Sequence, residues 1–254
     1  KILPNYDVIF SLTGSLSPAE SIKNPYKDLQ SSLIGHLNIL EICKLHKPII
    51  IFPSSRLVYG KPEFLPVNEQ HKLNPESIYA IHKITLENYY KMYENIYGIR
   101  VIIFRISNPI GPNQKFNSFN HGIINYFIDT AMKGKEIQIF GDGKQLRDYI
   151  HIDDLSNLFE LSITNEQLWG ETFNIGSGRG IAIIDVLSII RKYLPEIKIK
   201  FKEWPSLDKL VETGDYVTDI TKIKISSGWE PQISIEQGII DTISFYKKNE
   251  KDKQ

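Results

Sequence analysis

With 254 residues, 41% of them hydrophobic and 24% charged, the chain is long enough for one large α/β domain with a smaller lobe and carries enough apolar material for a core. Thirty basic residues cancel thirty acidic ones, so the basic surplus of a nucleic-acid binder is missing. No apolar run approaches the roughly 20 residues of a membrane helix, and the single Cys43 cannot form an internal disulfide, which fits a reducing, cytoplasmic compartment.

In chain order, the start Lys1-Ile2-Leu3-Pro4 has neither Met nor a signal-peptide apolar stretch. Asp7-Val8-Ile9-Phe10-Ser11-Leu12 then reads as a buried strand entering a loop at Thr13-Gly14. Leu33 to Leu45 has helical spacing and stops at His46-Lys47-Pro48. Ile49 to Phe52 is a second apolar strand, closed by Pro53-Ser54-Ser55. A helix is predicted from Ser77 to Tyr97, ending at Gly98, and Val101 to Phe104 is a third strand broken at Asn108-Pro109. Apolar strands alternating with helices mean a parallel sheet covered on both faces. Beyond Gly111 the pattern is mixed: helices at Ile123–Met132 and Ile181–Leu194, short strands at Ile137–Phe140, Thr172–Ile175 and Ile197–Phe201, and a polar tail from Lys247 expected to fray.

The most informative chemistry is Tyr79 and Lys83, four residues apart and so on one helix face. A phenol of pKa about 10 is a poor base at neutral pH, and a neighbouring ammonium favours its ionised form. Such a pair is common on solvated helices, so its context decides. Ser55 ends a predicted buried strand, and the carboxyl ends of parallel strands are where ligands bind. Gly176-Ser177-Gly178-Arg179-Gly180 imitates a dinucleotide fingerprint, but Ile181 stands where its third glycine belongs and its strand comes late in the chain. The six histidines (36, 46, 71, 82, 121 and 151) form no ligand-spaced cluster, so no metal site is expected, and Cys43 reads as core.

Taken in order, Asp7-Val8-Ile9-Phe10, Ser54-Ser55 with Val58-Tyr59-Gly60, Tyr79-Ala80-Ile81-His82-Lys83, Arg105 through Pro112, Phe140-Gly141-Asp142-Gly143, Arg147 through His151, Phe173 through Gly178 and Gly228-Trp229-Glu230-Pro231 form a pattern over nearly the whole chain. The chain thereby resembles the extended short-chain dehydrogenases/reductases, in their NAD-dependent nucleotide-sugar epimerase/dehydratase group. The resemblance implies a Rossmann-like parallel sheet, N-terminally incomplete, in residues 1–112. A smaller α/β lobe for the nucleotide sugar would occupy residues 113–254, with 145–176 returning to the sheet.

It also implies that Tyr79 is the acid/base, that Lys83 lowers its pKa and holds the nicotinamide ribose, and that Ser55 orients the reacting hydroxyl. NAD would lie against Leu12, Thr13, Gly14, Ser54, Tyr79, Lys83, Ile106 and Pro109. The nucleotide-diphosphate sugar would lie against Ser55, Asn108, Ile123, Phe140, Arg147 and Lys209. The guanidinium of Arg147 suits a phosphate bidentately, although an ion pair with Asp142 or Asp148 would account for it equally. Lys209 keeps the charge of a phosphate-binding arginine but loses its fork. Where the group's dehydratases carry an Asp-Glu pair after the catalytic hydroxyl, this chain has Arg56 and Leu57, neither of which shuttles a proton, so dehydration and decarboxylation are disfavoured. Epimerisation, most readily at C4, is the leading expectation. A 4-keto-sugar reductase using the same residues, and a non-catalytic fragment binding at most the nucleotide diphosphate, are the alternatives. The group's opening strand and glycine-rich turn do not precede Tyr6, so the chain reads as lacking an N-terminal unit of roughly 60 residues. Ser11 and Ser32 stand where relatives often carry His and Asn. A homodimer through the helices beginning near Leu33 and Ser77 is the group's habit.

Overall fold

The computed structural model describes residues 6–14, 17–114 and 122–251. Strand β1 (Val8–Phe10) leads to helices α1 (Pro18–Lys23), α2 (Pro25–Leu29) and, after a π-turn over Gln30–Ile34, α3 (Gly35–His46). Then come β2 (Ile49–Ser55), a 3-10 turn (Arg56–Tyr59), α4 (Ile78–Tyr97), β3 (Arg100–Ile106), β4 (Asn108–Ile110), α5 (Ile123–Met132), β5 (Glu136–Phe140) and β6 (Leu146–His151). Helix α6 (Ile152–Thr164), β7 (Thr172–Ile175), β8 (Gly180–Ala182), α7 (Ile183–Tyr193), β9 (Lys198–Lys202), α8 (Ser206–Leu210), α9 (Thr221–Ser227) and α10 (Ile235–Lys251) complete the chain.

The main sheet is parallel throughout, in the order β1-β2-β3-β7. Side chains alternate across it as the pleat requires. Ile51, Ile102, Phe104 and Phe173 pack on one face with Leu155 and Leu158 of α6 and Ile223 of α9. Ile50, Phe52, Val101 and Ile103 pack on the other with Leu40 and Cys43 of α3 and Leu86, Tyr90 and Tyr93 of α4. Covered on both sides, these strands are apolar along their length, which is why their sequence shows no alternation. The result is a Rossmann-like α/β fold. A third core joins α5, α7 and α10 to β5 and β6 through Phe127, Ile137, Tyr149, Leu187 and Ile243, and two further small sheets, β4-β6-β8 and β5-β9, serve that region.

Pro53 does not close β2 as its sequence suggested. Ile49 donates to Asp7 O, and Ile51 accepts from Ser11 N at 2.9 Å, so these residues turn their backbone groups toward β1. By the two-residue period Pro53 faces the same side, beyond the end of β1. Its missing N–H therefore costs no ladder bond, and the strand continues to Ser55, opposite Ile106. Two other expectations need correction. Ile181 is not helical but pairs with Arg147 across the antiparallel β6–β8 ladder, and helix α10 persists through Lys251 where a frayed tail was expected. Residues 252–254 and His121 lie outside the described residues. None of the described helices is long and apolar enough to cross a membrane.

Candidate active site at the strand ends

Helix α4 begins at a defined cap: Ser77 Oγ accepts from Ala80 N at 3.2 Å. Tyr79 and Lys83 follow one turn apart on the face turned toward β2. The Tyr79 backbone N–H donates to Ser21 Oγ at 3.0 Å, tying the helix start to α1. Lys83 Nζ donates to Pro53 O at 2.8 Å, using the carbonyl that the open side of β2 leaves available, and lies 4.7 Å from the Phe52 ring centroid and 5.7 Å from that of Tyr79. Ser55, at the carboxyl end of β2, caps the 3-10 turn by accepting from Leu57 N at 3.2 Å, and its hydroxyl lies close enough to the Tyr79 phenol to draw its pKa down. Three residues separated by up to 28 positions thus meet at one strand end.

The electrostatics of the site involve more charges than the Tyr79–Lys83 pair. Burial pushes the Tyr79 phenol above its ordinary value; the Ser55 hydroxyl pulls it back, the Asp28 carboxylate raises it further and the Arg56 guanidinium lowers it. Arg56 is thus a cation that favours this phenolate. Lys83 is itself brought down to about 8 by burial, against the opposing pull of Glu87 and Asp28, because its ammonium is held by a neutral carbonyl over an aromatic ring.

On the side toward β1, Leu12, Thr13 and Gly14 follow the strand, with Leu12 66% exposed. Thr13 Oγ1 is 3.0 Å from His36 Nε2, whose Nδ1 is 2.9 Å from Ser11 Oγ and 2.6 Å from Tyr90 Oη. Burial lowers His36 to about 4, so the imidazole is neutral at ordinary pH. Ser11 thus belongs to a buried polar network rather than standing alone. Ser54 is committed elsewhere: its hydroxyl donates to Glu87 Oε1 at 2.5 Å. Ile106 ends β3 beside Ser55.

The residues fit the nicotinamide half of a dinucleotide. The ends of β1, β2 and β3 open in one direction, Gly14 has φ +144°, and the nearest non-neighbouring atom to a Cβ placed there would be Ser32 Oγ at 3.7 Å, which leaves a backbone surface free for close approach. No glycine-rich strand-to-helix turn that could take the pyrophosphate occurs in the described residues. The imitation fingerprint cannot do so. Ser177 N and Oγ and Gly178 N all donate to the Asp148 carboxylate, at 2.7, 2.7 and 3.1 Å, joined by Thr218 N at 2.9 Å. A Cβ at Gly176 would lie 2.2 Å from Thr218 Oγ1 and 2.6 Å from Asp148 Oδ2, so this glycine serves that carboxylate cage.

A cavity of about 320 Å³ has Arg56, the residue after Ser55, in its wall, while Ser55, Tyr79 and Lys83 are not among its lining residues. Asn108, Ile123, Phe140 and Arg147 line it, as does Pro109, which the sequence reading had assigned to the cofactor side. Asn108 is positioned by donating to Asp148 O at 2.6 Å, and the Phe140 ring packs 5.5 Å from that of Trp204. Arg147 is buried, donates to Gly214 O at 2.7 Å and Leu146 O at 2.9 Å, and forms its ion pair with Glu212 rather than with Asp142 or Asp148. Lys209 is exposed on α8 and is not among the residues lining the cavity, whereas Asp208 and Glu212 are. Sequence reasoning missed Glu212 and Trp204 entirely and saw Arg56 only as a residue unable to shuttle protons.

A Rossmann-like sheet whose strand-end serine meets a tyrosine, with a lysine one turn further along the same helix, defines a short-chain dehydrogenase/reductase. Residues 1–176 match the family model described as NAD dependent epimerase/dehydratase family. A protein of Methanocaldococcus jannaschii is 33% identical over 249 residues, covering 96% of this chain and 78% of that protein. The UDP-glucose 4-epimerase of Mycolicibacterium smegmatis is 28% identical over 95% of this chain and 76% of its own length. The crystal structure of the Thermotoga maritima UDP-glucose 4-epimerase with UDP-glucose superposes with a TM-score of 0.89 at 29% identity, covering 96% of this chain and 78% of that one. The chain belongs to the NAD dependent epimerase/dehydratase family, an enzyme family whose cofactor is NAD.

Proposed function

We propose that the chain interconverts a nucleotide-diphosphate sugar and its C4 epimer through a transient keto-sugar. The observation that carries this reading is the meeting of Ser55 and Tyr79 at the end of β2, with Lys83 on the same helix face. In this reading Ser55 holds the reacting sugar hydroxyl, and Tyr79 Oη takes its proton as the carbinol C–H bond breaks. NAD, when bound, would supply the acceptor and then the donor of the hydride. Once the keto-sugar has turned its other face, Tyr79 gives the proton back to the new hydroxyl oxygen. No net redox change results. Lys83 would hold the nicotinamide ribose alongside Leu12, Thr13, Gly14, Ser54 and Ile106. Asn108, Ile123, Phe140 and Arg147 line the space in which the nucleotide diphosphate would lie. With Arg56 and Leu57 after Ser55, neither of those two positions offers a carboxylate to eliminate water.

Supplied with NAD, the chain should convert UDP-linked hexoses or hexuronates to their C4 epimers, read by chromatography, without accumulating NADH. Net consumption of NADPH on a 4-keto substrate would instead make it a reductase, and no turnover of either kind would end the redox reading. We further propose a cytoplasmic homodimer. Leu45 of α3 is 80% exposed, and Ile81, Met92 and Ile96 of α4 are exposed as well, an apolar surface of the kind that marks an interface. Sedimentation velocity should give twice the chain mass, falling to one chain mass in Ile96→Lys.

A further inference from the structure

Of the three arginines buried among the described residues, two are matched by carboxylates. Arg105 is paired with Glu87 at 2.7 Å and Arg147 with Glu212. The third, Arg56, is only 8% exposed yet has no carboxylate within ion-pair distance among the described residues. Its guanidinium donates from Nη1 to Thr213 Oγ1 at 3.0 Å and lies 5.0 Å from the Tyr216 ring centroid. A guanidinium has five N–H donors, and a buried cation without an anion is costly unless something compensates it.

Two further observations place that compensation in the cavity. Arg56 lines it together with Ser107 and Tyr149, and both Ser107 Oγ and Tyr149 Oη are buried without a hydrogen-bond partner. One wall of the cavity therefore holds a cation with no ion-pair partner of its own, which feels only the Glu212 carboxylate that Arg147 already engages, and behind it lie two buried hydroxyls without partners. Arg56 also belongs to the reacting end, since it follows Ser55 directly and its charge is felt by Tyr79. Arg147 lines the same cavity and is held by Glu212.

We propose that Arg56 receives a carboxylate carried by the sugar ring, so that the substrate is a nucleotide-linked uronic acid rather than a neutral hexose. The inference rests on the nucleotide-sugar reading and names its substrate class. A planar carboxylate fits the guanidinium fork, and with its reacting hydroxyl at Ser55 and Tyr79, a hexuronate has its acid group a few bonds away.

Calorimetric titration of the full chain with UDP, UDP-glucose and UDP-glucuronate tests this. UDP-glucuronate should bind about tenfold or more tightly than UDP-glucose, the scale of a hydrogen-bonded charge pair. Arg56→Leu should abolish that preference while leaving affinity for UDP alone unchanged, and Arg56→Lys should retain part of it. Equal affinity of the unaltered chain for the two sugars overturns the proposal without any variant, so a folding defect in Arg56→Leu cannot shield it. A loss of UDP affinity in that variant equal to its loss of UDP-glucuronate affinity also overturns it, and assigns Arg56 to the diphosphate. If none of the three ligands binds, the nucleotide-sugar reading fails first; if UDP and UDP-glucose bind and UDP-glucuronate gains nothing, only the uronate assignment fails.

Discussion

Replacing Tyr79 by Phe should lower epimerase turnover by roughly 10²–10⁴-fold, the usual contribution of a positioned general acid/base, while leaving nucleotide-sugar affinity nearly unchanged. The substitution removes one oxygen and keeps the ring that packs at the start of α4, so the loss should appear in kcat rather than in folding. The buried phenol lies above its ordinary value and is protonated at neutral pH, so kcat/KM should climb as the pH rises. Lys83 opposes that climb: with a pKa of about 8, its ammonium is lost at higher pH and the rate should level off or fall. Lys83→Met should remove this second limb. The same group has a readout independent of catalysis. Its pKa falls from 10.5 unfolded to about 8 folded, so between those values the unfolded chain binds more protons and stability rises with pH. The contribution is fully present above 10.5 and lost as the pH drops through 8. Urea unfolding of Lys83→Met should lack that slope. Wild-type turnover in Tyr79→Phe would remove the phenol from the mechanism.

What could be read in advance followed the range over which each interaction acts. Strands β2 and β3 announce themselves because burial on both faces demands unbroken apolar runs. The start of α4 is legible in Ser77 and the spacing of Tyr79 and Lys83, which are local features. Strand β6 was not legible as a strand: Leu146-Arg147-Asp148-Tyr149 looks like surface. Both of its charged residues are nevertheless buried. Their compensation comes from Glu212, 65 residues away, and from backbone N–H groups at Ser177, Gly178 and Thr218. Lys209, expected to stand for a phosphate-binding arginine, stays exposed on α8, and the loop brings the carboxylate of Glu212 into the cavity. Pro53 misled for a related reason. The rule that proline ends a central strand assumes a neighbour on both sides, and here one neighbour has already stopped.

A second large effect is expected away from the chemistry, at Glu87. This carboxylate on α4 receives Arg105 Nη2 at 2.7 Å and Nε at 3.1 and 3.2 Å, and the Ser54 hydroxyl at 2.5 Å. Arg105 Nη1 in turn donates to Tyr59 Oη at 2.9 Å, and Tyr59 donates to Asn174 Oδ1 at 2.6 Å. One buried network therefore ties α4 to β2, β3 and β7 and fixes the residue immediately before Ser55. Glu87→Ala would leave the Arg105 guanidinium buried with no anion, a loss of about 3–5 kcal/mol for a broken buried pair. That is a large fraction of the stability of a typical domain. The charge pair as a whole need not be stabilising, since two desolvated ions roughly offset their own attraction. Glu87→Leu combined with Arg105→Met should thus recover most of what Glu87→Ala loses. Its activity should stay low all the same, because Ser54 would have lost the acceptor that orients the end of β2. Denaturant midpoints of the single and double variants separate these contributions. A single variant that loses less than about 1 kcal/mol, the scale of an exposed pair, would show that the network is solvated and holds nothing in place.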